Sequence, residues 1–272
     1  MSPRTILSIA VLLLGCASYP AGADAARQAP AGAAARATRV VKLTATFSPE
    51  HLGSGTTIRV GFQVSTPAGQ APSPVTDVEL LLPPGLGIVT SDLGLETCSP
   101  SSLQRKGPAG CPVNSLMGRG SALAEVPFGS EFVDEPAIVT LFSGPFQNGH
   151  PQLLFLASGE LPVLANLVFP ALVLPAKAPF GGLLNTTLPL VPSVPDGPDV
   201  ALVQLQTTIG AKGITYYERV KGKTISFHPR GILLPRNCPR GGFAFGARLS
   251  FQDATHASAN TVVLCPRGRG QD

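Results

Sequence analysis

The sequence predicts an all-β protein, an antiparallel β-sandwich of immunoglobulin-like or related type. Three observations carry this expectation. Glycine and proline supply 30 and 28 of the 272 residues, about a fifth of the chain against a usual share of roughly 12%, and both residue types interrupt helices and punctuate turns. Hydrophobic residues reach 44%, enough apolar surface to exclude disorder for want of a core. Apolar side chains recur with period two in many short runs, and no run keeps a 3.6-residue period for three turns.

The first 25 residues read as an export signal. Arg4 supplies a short positive region, Thr5–Leu14 an apolar stretch, and Ala23-Asp24-Ala25 a small-residue cleavage pattern. The stretch is shorter than the about 20 residues of a spanning helix. Leu13-Leu14-Gly15-Cys16 offers a competing reading as a lipobox, with Cys16 lipidated and the chain anchored to the cell membrane. Cleavage after Ala25 is expected, because small residues stand at 23 and 25 while Leu14 is not the small or β-branched residue usual in a lipobox. On either reading the protein leaves the cytoplasm, to be secreted or held at the envelope. Residues 26–39 are a low-complexity linker.

A β-domain is expected over 40–266. Val41, Leu43, Ala45 and Phe47 alternate with Lys42, Thr44 and Thr46, and Ile58, Val60, Phe62 and Val64 alternate with Arg59, Gly61, Gln63 and Ser65. Val78, Leu80 and Leu82 continue the pattern up to Pro83-Pro84-Gly85. Further strands are expected at 121–128, 137–142, 153–157, 200–209, 215–220, 223–228, 243–251 and 261–265, with Lys221-Gly222 as a tight hairpin turn. The apolar segment 161–176 carries Pro162, Pro170 and Pro175. Each proline costs a helix about 3 kcal/mol, so the segment is read as one or two buried strands and not as a transmembrane helix. The strands make either one large sandwich or two abutting ones, with a possible sub-boundary near 130–135; one continuous domain is favoured because no linker-like stretch parts the halves. Residues 267–272 are a basic tail.

Five cysteines occur, at 16, 98, 111, 238 and 265. With Cys16 removed or lipidated, four remain, which suits two disulfides in an oxidising compartment. Three pairings are possible, and the two closest in sequence, Cys98–Cys111 and Cys238–Cys265, are expected. A zinc site needs close C-x(2–4)-C pairs, and the sequence has none.

The resemblance rests on the order of several segments: LLLPPGLGI at 80–88, GCPVNSLMGRGSA at 110–122, VALVQLQTTIG at 200–210, PRNCPRGGFAF at 235–245, and a last strand ending in Cys265-Pro266. In this order the chain resembles a set of uncharacterised exported proteins of high-GC Gram-positive, actinobacterial origin. The resemblance implies export and a β-sandwich, and it carries over no catalytic residue.

For chemistry the sequence offers little. The formal net charge is +4, but the basic residues form no stripe interleaved with aromatics, so a nucleic-acid partner is not expected. No G-x-S-x-G pentapeptide is present. His150 stands next to the turn signal Asn148-Gly149 and reads as a surface residue. Asp134 and Glu135, adjacent in a strand, point to opposite faces. Asp196-Gly197-Pro198-Asp199 reads as a turn before it reads as a calcium or carboxylate site. Tryptophan is absent, which disfavours carbohydrate platforms, and Asn185-Thr186-Thr187 is a short glycosylation-type motif without weight in a bacterial chain. No catalytic, metal or cofactor residue is therefore assigned. The expectation is an exported, non-enzymatic binding or structural module of the envelope or the extracellular space, with an unidentified partner there. The alternative is an extracellular hydrolase whose site is dispersed in sequence.

Overall fold

A computed structural model of the protein describes residues 39–266 apart from 68, 69, 71, 89–95, 161, 163 and 211. The expected export signal with Cys16, the expected linker up to residue 38 and the expected basic tail lie outside the described residues. In chain order the strands are β1 (Val40–Ser48), β2 (Gly55–Ser65), β3 (Val75–Leu82), β4 (Gly87–Ile88), β5 (Leu116–Phe128), β6 (Glu131–Gln147), β7 (His150–Gly159), β8 (Ala165–Pro175), β9 (Gly182–Thr187), β10 (Ala201–Ile209), β11 (Tyr216–Val220), β12 (Lys223–Phe227), β13 (Ile232–Leu233), β14 (Phe243–Phe251) and β15 (His256–Val263). One short helix, α1 (Pro100–Lys106), stands between β4 and β5. It begins where Ser99 accepts a hydrogen bond from the Ser102 backbone N–H, with Pro100 in the first turn. This Ser-Pro start is the local signal that a search for long helical periods passes over.

A 13-stranded sheet runs in the order β15-β14-β3-β9-β8-β7-β6-β5-β10-β2-β13-β4, with β1 also paired to β2, while β11 and β12 form a separate hairpin. Every pairing is antiparallel. The sequence reading expects two face-to-face sheets; the ladder instead runs on unbroken. The strands β5 to β9 form a meander. The chain then returns so that β10 fills the place between β5 and β2, and β3 pairs with β9 on one side and β14 on the other. The last strand, β15, comes back alongside β1, so the sheet curls into a nearly closed barrel. The physical reason for the difference is simple: one apolar face per strand can be buried by a second sheet or by the sheet's own curvature, and period two is the same in both. The possible boundary near 130–135 falls in the hairpin between β5 and β6, inside this sheet.

Alternation decides the faces. On β2, Ile58, Val60, Phe62 and Val64 are buried inside while Arg59, Gln63 and Ser65 are exposed. On β14, Phe243, Phe245, Ala247, Leu249 and Phe251 point in, and Arg248 points out, where it pairs with Glu79 at 3.1 Å. The segment expected as one or two strands is the single β8. Pro170 sits within β8, and its carbonyl accepts a hydrogen bond from the Thr186 hydroxyl at 2.7 Å.

Strand β7 departs from alternation because both of its faces are covered. Phe155 faces the barrel, whereas Leu154 and Leu156 face outward and are buried with Leu103 of α1, Phe142 and Cys98 in a second small core. Cys98 pairs with Cys111 around this helix, Cα to Cα 5.0 Å. Cys238 pairs with Cys265 just before β14 and just after β15, Cα to Cα 6.0 Å.

Candidate functional site

Inside the barrel the chain leaves a cavity of about 150 Å³. Its wall comes from inward positions of nine strands of the ring, among them Val60, Leu80, Val139, Phe155, Phe169 and Leu205. The cause lies in residue size. At Ala122, Ala124, Ala137, Ala157, Gly159 and Ala165 the inward side chains are too small to fill a ring of this many strands, where a barrel of about eight is already filled by ordinary side chains. Phe155 and Phe169 stack face to face in this wall, centroids 5.2 Å apart. The segment after β9 closes the cavity at the end where β10 begins, through Leu188, Pro189, Leu190, Val191 and Val200. That segment is folded on itself by Val200 N–H to Val191 O and Ser193 N–H to Pro198 O, and tied to the barrel by Leu188 N–H to Thr76 O.

Among the described residues three polar side chains line the cavity: Glu135, Thr186 and Thr207. Thr186 donates to the Pro170 carbonyl at 2.7 Å, and Thr207 donates to the Val60 carbonyl at 3.4 Å. Glu135 is buried, 5% exposed, on an inward position of β6 near the end closed by the β9–β10 segment. Its carboxylate lies over Gly159 of β7. A Cβ at that position would collide with Oε1, so the missing side chain at 159 is what gives the carboxylate its room.

The residues singled out in the sequence fall apart from this cavity, with Glu135 as the exception. Asp134, its neighbour, points outward and is exposed. There it sits opposite Glu125 on β5, whose carboxyl is pushed up by partial burial and further by the Asp134 charge. His150 is half-buried at the start of β7, just after the turn where Asn148 and Gly149 both take positive φ, 51° and 79°. Asp196 also takes a positive φ, 60°, in a turn closed by Gly197 N–H to Val194 O, and Asp199 accepts from Gln252 at 2.7 Å. Asn185 lies on β9 opposite Glu79. Among the described residues no group of three or more His, Cys, Asp or Glu is placed to hold a metal ion.

One pair that sequence reasoning missed is Ser250 with His256, Oγ to Nδ1 3.1 Å. The two are partners across the ladder of β14 and β15, on the outer face beside Asp77 and Arg248. Asp77 accepts from Thr187 at 2.9 Å, and among the described residues no carboxylate is hydrogen-bonded to His256. A nucleophile needs a base that a third group orients, and the histidine nitrogen that would meet that group is the one already turned to the serine.

No helix of the described residues is long and apolar enough to cross a membrane. The outer face carries polar side chains such as Arg59, Gln63, Gln206 and Arg248 together with exposed apolar ones such as Phe132, Ile138 and Val262. No protein-family model, curated protein or solved structure matches the chain.

Proposed function

We propose that the protein is an exported, non-enzymatic carrier that holds a small apolar molecule inside its barrel. The observation that carries this reading is the cavity: about 150 Å³, walled mostly by aliphatic and aromatic carbon, inside the barrel beneath the β9–β10 segment. A dry apolar cavity of about this size admits one benzene-sized molecule, and a pocket of that kind with few convergent polar groups is the usual form of a small-molecule site. The paired cysteines support a place in an oxidising compartment, as does the export signal read at residues 1–25. Resemblance to exported actinobacterial proteins agrees with that place.

The test is saturable binding. Benzene or octane titrated into the purified protein should shift the methyl resonances of Leu184 and Leu205, and Ala157→Leu should abolish the shifts while the protein stays folded. Failure of both probes to saturate overturns the reading. The rival reading, an extracellular hydrolase, has Ser250 and His256 as its material. Ester turnover that disappears in His256→Ala would favour it.

A further inference from the structure

We infer that the β11–β12 hairpin docks the protein on an anionic lipid bilayer, its cations against the headgroup phosphates and its aliphatic tip in the interface. The inference goes beyond the carrier reading and concerns the far end of the barrel. β10 begins beside the segment that closes the cavity, and the hairpin follows the opposite end of β10. Among the described residues its two strands form a sheet of their own. At the root Tyr216 is fully buried, donates to the Leu116 carbonyl at 2.7 Å and meets Phe227 edge-on at 5.8 Å. Beside it Asn114 accepts from the Tyr217 N–H at 2.8 Å and donates to the Tyr217 carbonyl at 2.6 Å. Beyond this root every residue from Tyr217 to Ser226 is exposed. A two-stranded hairpin is marginal by itself, so these anchors hold an arm that projects from the barrel.

The chemistry of the arm points to what covers it. Arg219, Lys221 and Lys223 surround the tip, and Glu218 is the one acid between residues 217 and 226. Among these charges Tyr217, Val220 and Ile225 stand 49%, 38% and 49% exposed. Val220 pairs with Lys223 and Glu218 with Ile225, so aliphatic and basic side chains share one face, while Tyr217 and Arg219 share the other. Arg119 on β5, next to the Gly118–Ile209 pair, and Arg236 after β13 add exposed positive charge at the same end, against Glu50 in the β1–β2 turn. The cavity end carries acids instead, among them Glu131, Asp134, Asp196 and Asp253. A negative surface therefore attracts the hairpin end and turns the cavity end away. A soluble polyanion would engage the cations and leave Val220 and Ile225 in water. A bilayer interface takes both kinds of group, since its binding strength combines buried apolar area with attraction to anionic headgroups.

The experiment sediments the disulfide-bonded protein with vesicles of phosphatidylcholine alone and of phosphatidylcholine with about a third phosphatidylglycerol. Binding to the anionic vesicles is expected, and it should weaken as salt rises. A cation near such a surface is worth about fivefold in partitioning, so Arg219→Gln, Lys221→Asn and Lys223→Gln together should weaken binding about a hundredfold. Asparagine suits position 221, where φ is 49°. Val220→Ser with Ile225→Ser should weaken binding about tenfold and keep its salt dependence. Val220→Trp places an indole in a chain without tryptophan, and its emission should shift to the blue on anionic vesicles. Polyphosphate replaces the vesicles in a control arm. Polyphosphate binding with no effect of the serine variant on vesicle binding overturns the inference in favour of a polyanionic chain. Equal binding to neutral and anionic vesicles, binding to neither, or binding that the triple variant leaves unchanged also overturns it. The substituted positions are all exposed, and the two vesicle types on the unaltered protein decide the matter even where a variant does not fold. Each of these failures leaves the carrier reading standing, because that reading is tested by benzene and octane in the cavity at the other end.

Discussion

At the end of the barrel where β1 finishes and β14 starts, Phe47 meets Phe243 edge-on at 5.1 Å and Phe245 at 5.6 Å. Leu234, Ile232 and Met117 are buried in the same apolar core as these rings, and Cys238 and Cys265 pack against that core. At the other end the interior is bounded by alanines, by Gly159 and by a proline-rich segment, 188–200, that is hydrogen-bonded mostly to itself. The same sheet thus ends once in large interlocking side chains and once in small ones under a loop. The difference teaches where each property resides: packing density, and with it stability, belongs to the plugged end, whereas space and access belong to the loop end.

Truncation at the two ends should separate them most clearly. Phe245 is fully buried, 0% exposed, and Phe245→Ala should lower the unfolding free energy by about 3–5 kcal/mol, a transfer loss plus a new cavity. Leu205, half-buried on the cavity wall, already borders empty space, and Leu205→Ala should cost about 1 kcal/mol, the transfer part alone. Urea denaturation of the two variants measures both. Equal losses would show that the cavity end is as tightly packed as the plug.

Removing the Cys238–Cys265 bond sharpens the comparison at the next level of size. The bond spans 27 residues, and closing a loop of that length restricts the unfolded chain by about 3 kcal/mol. The double variant Cys238→Ala, Cys265→Ala should lose stability by about that amount. Ligand binding in the cavity, at the opposite end, should stay within about twofold under conditions where the variant is folded, because well-separated sites act independently. A loss of binding in step with the loss of stability would place the two ends in one cooperative unit.

How much of this was legible in the sequence differs between the ends in the same way. The plugged end is written in large apolar residues at period two: the run Phe243–Phe251 coincides with β14, and Lys221-Gly222 is the turn of the β11–β12 hairpin, with φ of 49° and 80°. The curl of the sheet was not legible, because β10 and β3 find partners far away in sequence, and alternation records a face without recording what covers it. The helix α1 was missed because seven residues are too few for a period to register, and β9 because its six residues, Gly182–Thr187, are apolar only in part. At the cavity end the signal is a deficit. Ala137 and Gly159 read as ordinary small residues in strands, and only their assembly on one inner face makes a hole. Glu135 was seen as one of two neighbouring carboxylates on opposite faces. Which of them faced inward depended on the register with β5, beyond the reach of a single segment.

The smallest expected effect concerns the seam between β1 and β15 at the loop end. Arg39, just before β1, donates to Asp253 at 2.6 Å and to Thr255 at 2.5 Å in the turn joining β14 to β15, and its guanidinium lies 4.8 Å over the Phe251 ring. Partial burial alone would raise the Asp253 carboxyl. The hydrogen bonds from Arg39 and Thr255, with the Arg39 charge, outweigh it and bring the pKa down from 3.8 to about 2. A folded pKa below the unfolded one means that the latch contributes fully above the ordinary carboxylate value of about 3.9 and is lost as pH falls through about 2. The Asp253 side chain is 41% exposed, so water and salt screen the pair, and its worth should stay within about 1 kcal/mol. Urea unfolding at pH 6 and at pH 2.5 should therefore show a slightly smaller acid loss for Asp253→Asn than for the unaltered protein. The difference between the two should shrink in 1 M salt, where the screening length is about 3 Å. The aromatic plug carries no such dependence, so an acid-opened barrel should come apart first along this seam, and faster amide exchange in β1 and β15 than in β5 to β7 at pH 2.5 is the measurement that decides it.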